Sequence, residues 1–468
     1  MKNHLNTALR RAASTLTKEA GDISSVFPSL SGKKPDPLPP RFSALKKKLI
    51  KGNEDAITAS WQRLSESLER EIAEIRSQGS NVIPSIEFRD IVAGTVPRPK
   101  LDALRHRGTA VIRNVLPREQ ALQLKRQAKE YINANRSKIR AFPADNPAVY
   151  ELYWTPSQVQ ARAHPNMLKA QSFLASFWHS SDPSSEISTT YPLTYADRFR
   201  IRQPGDAKFS LGPHTDGGSL ERWEDPEYAR VYQPILKGHW EEYDPFDARH
   251  RIDARMDLYN GAGACSMFRL FQGWLSMSST GPGEGTLRVC PLIRHATSYL
   301  ILRPFIDLQT GKLNLDATFP NSVPAACQEY DPVSHPGLEL DTTMVSMPKV
   351  EPGDYVAWHC DMIHAVDKEH RGKGDSSVMY IPACAITRPN VEFLKRQRMS
   401  ALAYSPPPDF PGAGGDGEVG FLGAVSWDQV NDAGKRAMGL GKVMWDFSPD
   451  MSEGERKAIE AGNRTLFG

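Results

Sequence analysis

The chain has 468 residues, a formal net charge of +3, and 40% apolar and 24% charged side chains. That suffices for a sizeable core in one elaborated domain or a few smaller ones. The nearly balanced charge carries no electrostatic footprint of a nucleic-acid or membrane-surface partner. Its five cysteines, Cys265, Cys290, Cys327, Cys360 and Cys384, are scattered and form no C-x-x-C pair. A disulfide scaffold and a thiolate zinc site are therefore disfavoured, and a reducing compartment is expected.

Residues 1–40 read as a leader and linker. The first twenty carry Arg10, Arg11 and Lys18 before any acid except Glu19, a faint likeness to a mitochondrial presequence. GKKPDPLPPR (32–41) is too rich in proline to be regular for long. No apolar run approaches the ~20 residues that span a bilayer. A cytoplasmic location is the expectation, with the mitochondrion as the alternative.

Residues 41–189 are expected to be mainly helical and packed on a core. Phe42, Leu45 and Leu49, then Trp61, Leu64, Leu68, Ile72 and Ile75, recur at three- and four-residue steps, and residues 117–135 open with Pro and an acid. The character changes near 190. RFRIRQP (198–204), GWLSMSS (273–279), TLRVCP (286–291), SYLILRPF (298–305), DYVAWHC (354–360) and SSVMYIPACAI (376–386) are short, β-branched or aromatic, and bounded by Gly, Pro or Asp. Each predicts a strand. GPGEG (281–285) reads as a hairpin loop, not a phosphate cradle, because no helix follows it. Residues 391–468 return to helix around a Pro/Gly stretch at 405–418. The order predicts an α+β chain: a jelly-roll catalytic core over 190–390, with insertions at 217–265 and 306–350, between N- and C-terminal helices.

The chemistry-bearing segment is LGPHTDGGS (211–219). On extended backbone, His214 and Asp216 point to one side, so an imidazole and a carboxylate face a common point. PGDYVAWHCDMIHAV (352–366) offers two histidines for a third ligand, His359 and His364. On one regular strand they would face opposite ways, and His364 shares the more apolar face with Val356, Trp358 and Met362. That face should turn inward, which assigns His364. His359-Cys360-Asp361 repeats the H-x-D pattern and is read as a decoy near the site mouth. Two imidazoles and one carboxylate leave three open positions on an octahedral ion, the arrangement of iron(II) oxygenases. A cupin-like metal-dependent hydrolase using the same ligands, and a non-catalytic β-sandwich binding protein, are the alternatives.

HTD (214–216), FQGWLSMSSTGPGEGTLRVCP (271–291) and PGDYVAWHCDMIHAV (352–366) resemble the iron(II)/2-oxoglutarate oxygenases. Within them they look most like the DUF1479 branch, described as gibberellin-oxidase-like or phytanoyl-hydroxylase-like. The resemblance runs from about residue 38 to the C-terminus. It implies a double-stranded β-helix, Fe(II), and 2-oxoglutarate and O2 as co-substrates, with His214, Asp216 and His364 as metal ligands. It also implies oxidation of an unactivated C–H bond of a small molecule by hydroxylation, desaturation or ring closure. Relatives that act on small amino acids such as valine make an amino acid or a secondary-metabolite acid the expected substrate. The intact Asp216 argues against halogenation.

Such enzymes usually carry a base about ten residues past the distal histidine, to hold the far carboxylate of 2-oxoglutarate. GDSSVMYIP (374–382) has none. A buried carboxylate needs a guanidinium or its equivalent, so the candidates are Arg269 and Arg303, then Arg288 and Arg371. Arg198, Arg200 and Arg202 alternate along one strand and read as a solvated face, with contact to an anionic substrate as the alternative. Residues 217–251 start directly after the metal motif and are placed to form a lid or a dimer contact. Trp223, Tyr228, Trp240 and Tyr243 within them are candidates for pocket or packing. The oligomeric state is not legible.

Overall fold

The computed structural model describes residues 27–31, 36–208, 210–261, 264–410, 416–441 and 443–468; the presequence-like residues 1–20 lie outside them. Helix Glu54–Gln78 forms as its pattern dictates. Ile57, Leu64, Leu68, Ile72 and Ile75 make one buried stripe, while Glu54 and Asp55 sit in the first turn, where the helix dipole favours acids. Helix Arg118–Asn135 buries Ala121, Leu124, Ala128 and Tyr131 in the same way.

Among the described residues, two sheets carry the site. The ten-stranded sheet has the order Ser85–Glu87, Thr109–Arg113, Tyr355–His359, Arg269–Ser276, Ser376–Tyr380, Phe199–Arg202, Val149–Tyr150 and Ala141–Phe142. Ala383–Thr387 joins Arg269–Ser276 and Ile187–Leu193 off that path. The five-stranded sheet has the order Gln328–Glu329, His214–Thr215, His364–Val366, Leu287–Val289 and Val345–Ser346. All pairings are antiparallel except that of Ser85–Glu87 with Thr109–Arg113.

The sides of the ten-stranded sheet are sorted by strand alternation. Phe199, Ile201, Leu275, Tyr355, Ala357 and Met379 pack with Leu124, Ala128 and Met167 from helices Arg118–Asn135 and Pro165–Ala175. Trp274, Val356, Trp358 and Val378 belong to the other core, with Leu287, Val289 and Ala365 of the five-stranded sheet. A cavity opens between the two sheets.

Four features differ from the sequence expectations. SYLILRPF is not a strand: Ile293–Leu302 is a helix continued by a short 3-10 turn. Nine of its ten residues are buried, and periodicity cannot separate a segment buried on every side from a buried strand. The helical N-terminal region also supplies the strands at 85–87, 109–113, 141–142, 149–150 and 187–193. Thr109–Arg113 lies between Tyr355–His359 and the edge strand Ser85–Glu87, as its β-branched run TAVIR allows. Residues 281–285 are a crossover between the two sheets and not a hairpin, because Arg269–Ser276 and Leu287–Val289 lie in different sheets. Finally, residues 217–251 are buried scaffold. Trp223, Tyr228, Trp240 and Tyr243 are each no more than 6% exposed and pack with Ile57, Leu64 and Leu300, and no helix among the described residues is long and apolar enough to cross a membrane.

Candidate metal centre

His214 and His364 stand opposite each other as register partners on adjacent antiparallel strands of the five-stranded sheet. Their ring centroids are 4.1 Å apart. Asp216 follows two residues after His214, just past the strand end. Its Oδ1 lies 3.6 Å from His214 Nε2, and its Oδ2 lies 3.9 Å from His364 Nε2. The three ligand atoms are mutually within 4.8 Å.

Both rings are oriented by local backbone. His214 Nδ1 lies 2.8 Å from Gly212 O, and His364 Nδ1 lies 3.0 Å from Met362 O. A carbonyl only accepts, so each Nδ1 carries the proton and each Nε2 keeps its lone pair for a cation. Burial and the neighbouring His214 push the His364 imidazole down to about 3. Burial alone would raise the Asp216 carboxyl. Its neighbours His364, Arg269 and His214 outweigh it and hold the group well below the usual carboxylate range. A carboxylate and two imidazoles that each present Nε2 are the donor set a divalent cation needs.

The turn after His214 is shaped by glycine. Gly217 and Gly218 have φ of +79° and +84°, a left-handed backbone in which side chains are strained. A Cβ on Gly218 would lie 2.4 Å from Met256 O.

His359 lies elsewhere. The strand Tyr355–His359 ends there, and a turn carries the chain to the other sheet before His364–Val366 begins. The two histidines are thus not on one strand. His359 is fully buried and does not border the cavity mouth. Its ring stacks on Trp178 with centroids 4.8 Å apart, and its Nε2 donates to Pro245 O at 2.9 Å. Its Nδ1 accepts from Asp361 N, so both ring nitrogens are engaged. Cys360 and Asp361 complete a second candidate cluster, but Asp361 is paired with Arg251 at 2.6 Å.

The cavity beside the triad has a volume of about 160 Å³. His214, Asp216, His364 and Leu287 border it on one side, and Gln272, Trp274, Trp358 and Tyr380 on the other. Gln272 and Trp358 are register partners on adjacent strands. Gln272 Nε2 and Trp358 Nε1 are buried with no hydrogen-bond partner among the described residues. Both residues border the cavity, so these two donors are available to a molecule bound in it.

Of the arginines anticipated from the sequence, Arg269 borders the cavity and lies 3.4 Å from Asp216 Oδ2. The other three do not border it. Arg288 donates to Met344 O, because on its strand Leu287 takes the inward side. Arg303 donates to Ser334 O and Ile306 O from the turn behind helix Ile293–Leu302. Arg371 is 76% exposed beside Glu369.

The Arg198–Arg200–Arg202 face is not solvated. Arg200 and Arg202 are 3% and 0% exposed. Arg202 is structural, bonded to Asp206 and to Asp367 O. Arg198 and Arg200 border the cavity. Arg200 donates to Gly285 O and Ser376 Oγ, and burial lowers its pKa. Two further residues carried no recognisable signal. Phe410 meets Tyr153 and Tyr195 in an aromatic wall. Phe27, in what reads as a peripheral leader, packs its ring edge-on to His214 with centroids 4.7 Å apart, and Ser29 N donates to Glu329 at 3.0 Å.

The chain is similar to known proteins over most of its length. It is 35% identical over 394 residues to the uncharacterized protein YbiU of Escherichia coli K12, covering 81% of this chain and 91% of that protein. Among solved structures it is similar to GlcNAc Inducible Gene 2, GIG2 (DUF1479), from Candida albicans. That likeness has a TM-score of 0.84 and 33% identity, over 93% of this chain and 96% of that one. It is also similar to the hypothetical protein JW0805 of Escherichia coli, with a TM-score of 0.76 and 32% identity over 92% and 100% of the two chains. The model of the Gig2-like family matches residues 36–440, and the chain belongs to that family.

Proposed function

We propose that this protein is an Fe(II)- and 2-oxoglutarate-dependent oxygenase that oxidises an unactivated C–H bond of a small molecule. The observation that carries this reading is the convergence of His214 Nε2, Asp216 Oδ and His364 Nε2 at the edge of a buried cavity that also holds arginines and unpaired donors. Three protein ligands on one side of a cation leave room for a chelating co-substrate and O2.

The strand order supports the fold that goes with this chemistry. Eight strands in chain order begin at 199, 214, 269, 287, 345, 355, 364 and 376. Numbered one to eight, they lie as 1-8-3-6 in the larger sheet and 2-7-4-5 in the smaller. That alternation is how a double-stranded β-helix winds, with extra strands at the edges.

Arg200 is the residue we assign to the distal carboxylate of 2-oxoglutarate. Its strand pairs with Ser376–Tyr380, with Arg200 opposite Val378, so a cation from the neighbouring strand serves where GDSSVMYIP has none. Arg269 sits against Asp216 itself, at the metal end of the cavity. 2-Oxoglutarate held by its keto-acid end at the metal would present its far carboxylate to a cation away from Asp216, a place Arg200 fits better than Arg269. Gln272 Nε2 and Trp358 Nε1 offer donors to ligand oxygens, and Trp358 lies 5.3 Å from the His364 ring. Bound iron would supply the activation of O2; the protein orients the ligands and keeps water away.

The rest of the cavity border carries both signs of charge: Arg198 and Arg269 with Asp197 and Glu151, against Tyr153, Tyr195 and Phe410. Such a lining suits a small amino acid such as valine, or a secondary-metabolite acid. The test is release of succinate from 2-oxoglutarate, stimulated by candidate amino acids. The reading expects it to require both Fe(II) and O2. Hydrolytic turnover that proceeds without O2 would instead indicate a cupin-like hydrolase.

A further inference from the structure

Residues 217–251 are not a lid over the metal centre but a buttress beneath it, and one side chain in them reaches both arms of the triad. Arg222, in the short helix Glu221–Glu224, is 1% exposed. Its Nη2 donates to Asp216 O at 2.9 Å, and its Nη1 donates to Gly218 O. The same Nη2 lies 3.6 Å from Asp361 Oδ1. Asp361 is 3% exposed at its side chain and sits in the turn that precedes His364. The next residue, Met362, provides the carbonyl that orients His364. We propose that Arg222 is the positioning residue of the metal centre, fastening the Asp216–Gly218 backbone to the Asp361 turn so that the two arms keep one geometry.

A planar guanidinium with five donors in a fixed fork suits this task, since it addresses two carbonyls and a carboxylate at once. The loop has two further fastenings from the same segment: Tyr228 Oη donates to Gly217 O at 3.2 Å, and Glu221 accepts from Ser219 N at 2.8 Å. Neither crosses to the His364 arm. Arg251 also pairs with Asp361, at 2.6 Å, and touches Tyr243 and Cys360. Among the described residues, its hydrogen bonds go to Tyr243, Cys360 and Asp361 and not to residues 214–218. Arg222 therefore joins the arms, and Arg251 supports only one of them.

This inference rests on the reading of His214, Asp216 and His364 as a metal site, and the experiment separates the two. Anaerobic titration of the metal-free protein with Co(II) reports affinity and, through its absorption spectrum, ligand geometry. In Arg222→Met, affinity is expected to fall about ten- to a hundred-fold with an altered spectrum, as for loss of groups that orient metal ligands. Arg251→Met breaks the same buried ion-pair cluster, so it lowers the melting temperature but keeps wild-type affinity and spectrum. Arg222→Lys keeps a cation beside Asp361 without the fork, and is expected to give an intermediate affinity; it carries the test if Arg222→Met fails to fold. Wild-type affinity in the Arg222 variants, or equal losses in Arg222→Met and Arg251→Met, would overturn the proposal. If His214→Ala binds Co(II) as tightly as wild type, the metal site itself is wrong and this inference goes with it.

Discussion

His214 and His364 are register partners, one on each of two adjacent strands, with rings 4.1 Å apart. The ladder, not the side chains, sets their separation, and each Nδ1 bonds only to a carbonyl two residues back in its own chain. Their removal should empty the site without unfolding the sheet. His214→Ala, Asp216→Ala and His364→Ala are each expected to lose at least about a hundred-fold in Fe(II) affinity, with the circular dichroism unchanged. His359→Ala should do the reverse. It deletes a buried ring with a hydrogen bond and a stacked neighbour, which costs about 2–4 kcal/mol of stability, and metal affinity should stay at the wild-type value. Metal titration and denaturant unfolding of the four variants check both halves.

Arg200 is expected to govern the co-substrate. Hydrogen bonds to charged groups contribute about 1.5–3 kcal/mol, roughly ten- to a hundred-fold in binding. Arg200→Leu should therefore weaken 2-oxoglutarate binding by that factor, while Arg303→Leu, which alters contacts to Ser334 O and Ile306 O, should not. Anaerobic titration of iron-loaded protein with 2-oxoglutarate measures it. An unchanged dissociation constant in Arg200→Leu would shift the role to Arg269.

Gly218→Ala should damage the centre from the backbone. The added Cβ meets Met256 O at 2.4 Å in a residue with φ of +84°. Strain of this kind costs of order 1–3 kcal/mol, and relieving it moves the Asp216 end of the loop. A fall in both melting temperature and metal affinity is expected; wild-type values for both would show that the turn relaxes freely.

Acid should destabilise the protein through histidines outside the centre. Burial holds His295 and His335 each at about 4, below the ~6.5 of an unfolded chain. As pH falls below ~6.5 the unfolded chain takes up protons that the folded protein refuses. The stability these groups contribute is whole above ~6.5 and lost progressively down to about 4, roughly 3 kcal/mol for each. His335→Phe should flatten unfolding free energy against pH over that range. A profile as steep as that of wild type would assign the acid sensitivity elsewhere.

What the sequence revealed of the site followed local geometry. His214 and Asp216 are two apart on extended chain, and a later strand begins with His364, so their placement together needs only strand alternation and a second pass of the chain. The arginines failed for a reason rooted in layering. An alternating Arg-Phe-Arg-Ile-Arg strand usually turns its charges to water, but here helices cover the side with Phe199 and Ile201. The charged side faces a cavity between two sheets, and a single strand's pattern does not distinguish a cavity from solvent. The helix Ile293–Leu302 is not legible in the sequence because burial on every side leaves it without a polar face to mark its period. Phe27 reaches His214 across 187 positions of sequence, a contact no local pattern encodes.

The most direct test is a crystal structure of the protein loaded anaerobically with Fe(II) and 2-oxoglutarate, with iron located by anomalous scattering. The expected result is one iron bound by His214 Nε2, a carboxylate oxygen of Asp216 and His364 Nε2, chelated by the keto-acid end of 2-oxoglutarate, whose far carboxylate meets Arg200. Iron bound elsewhere, or a triad that closes around the ion with no open position for the co-substrate, would contradict it.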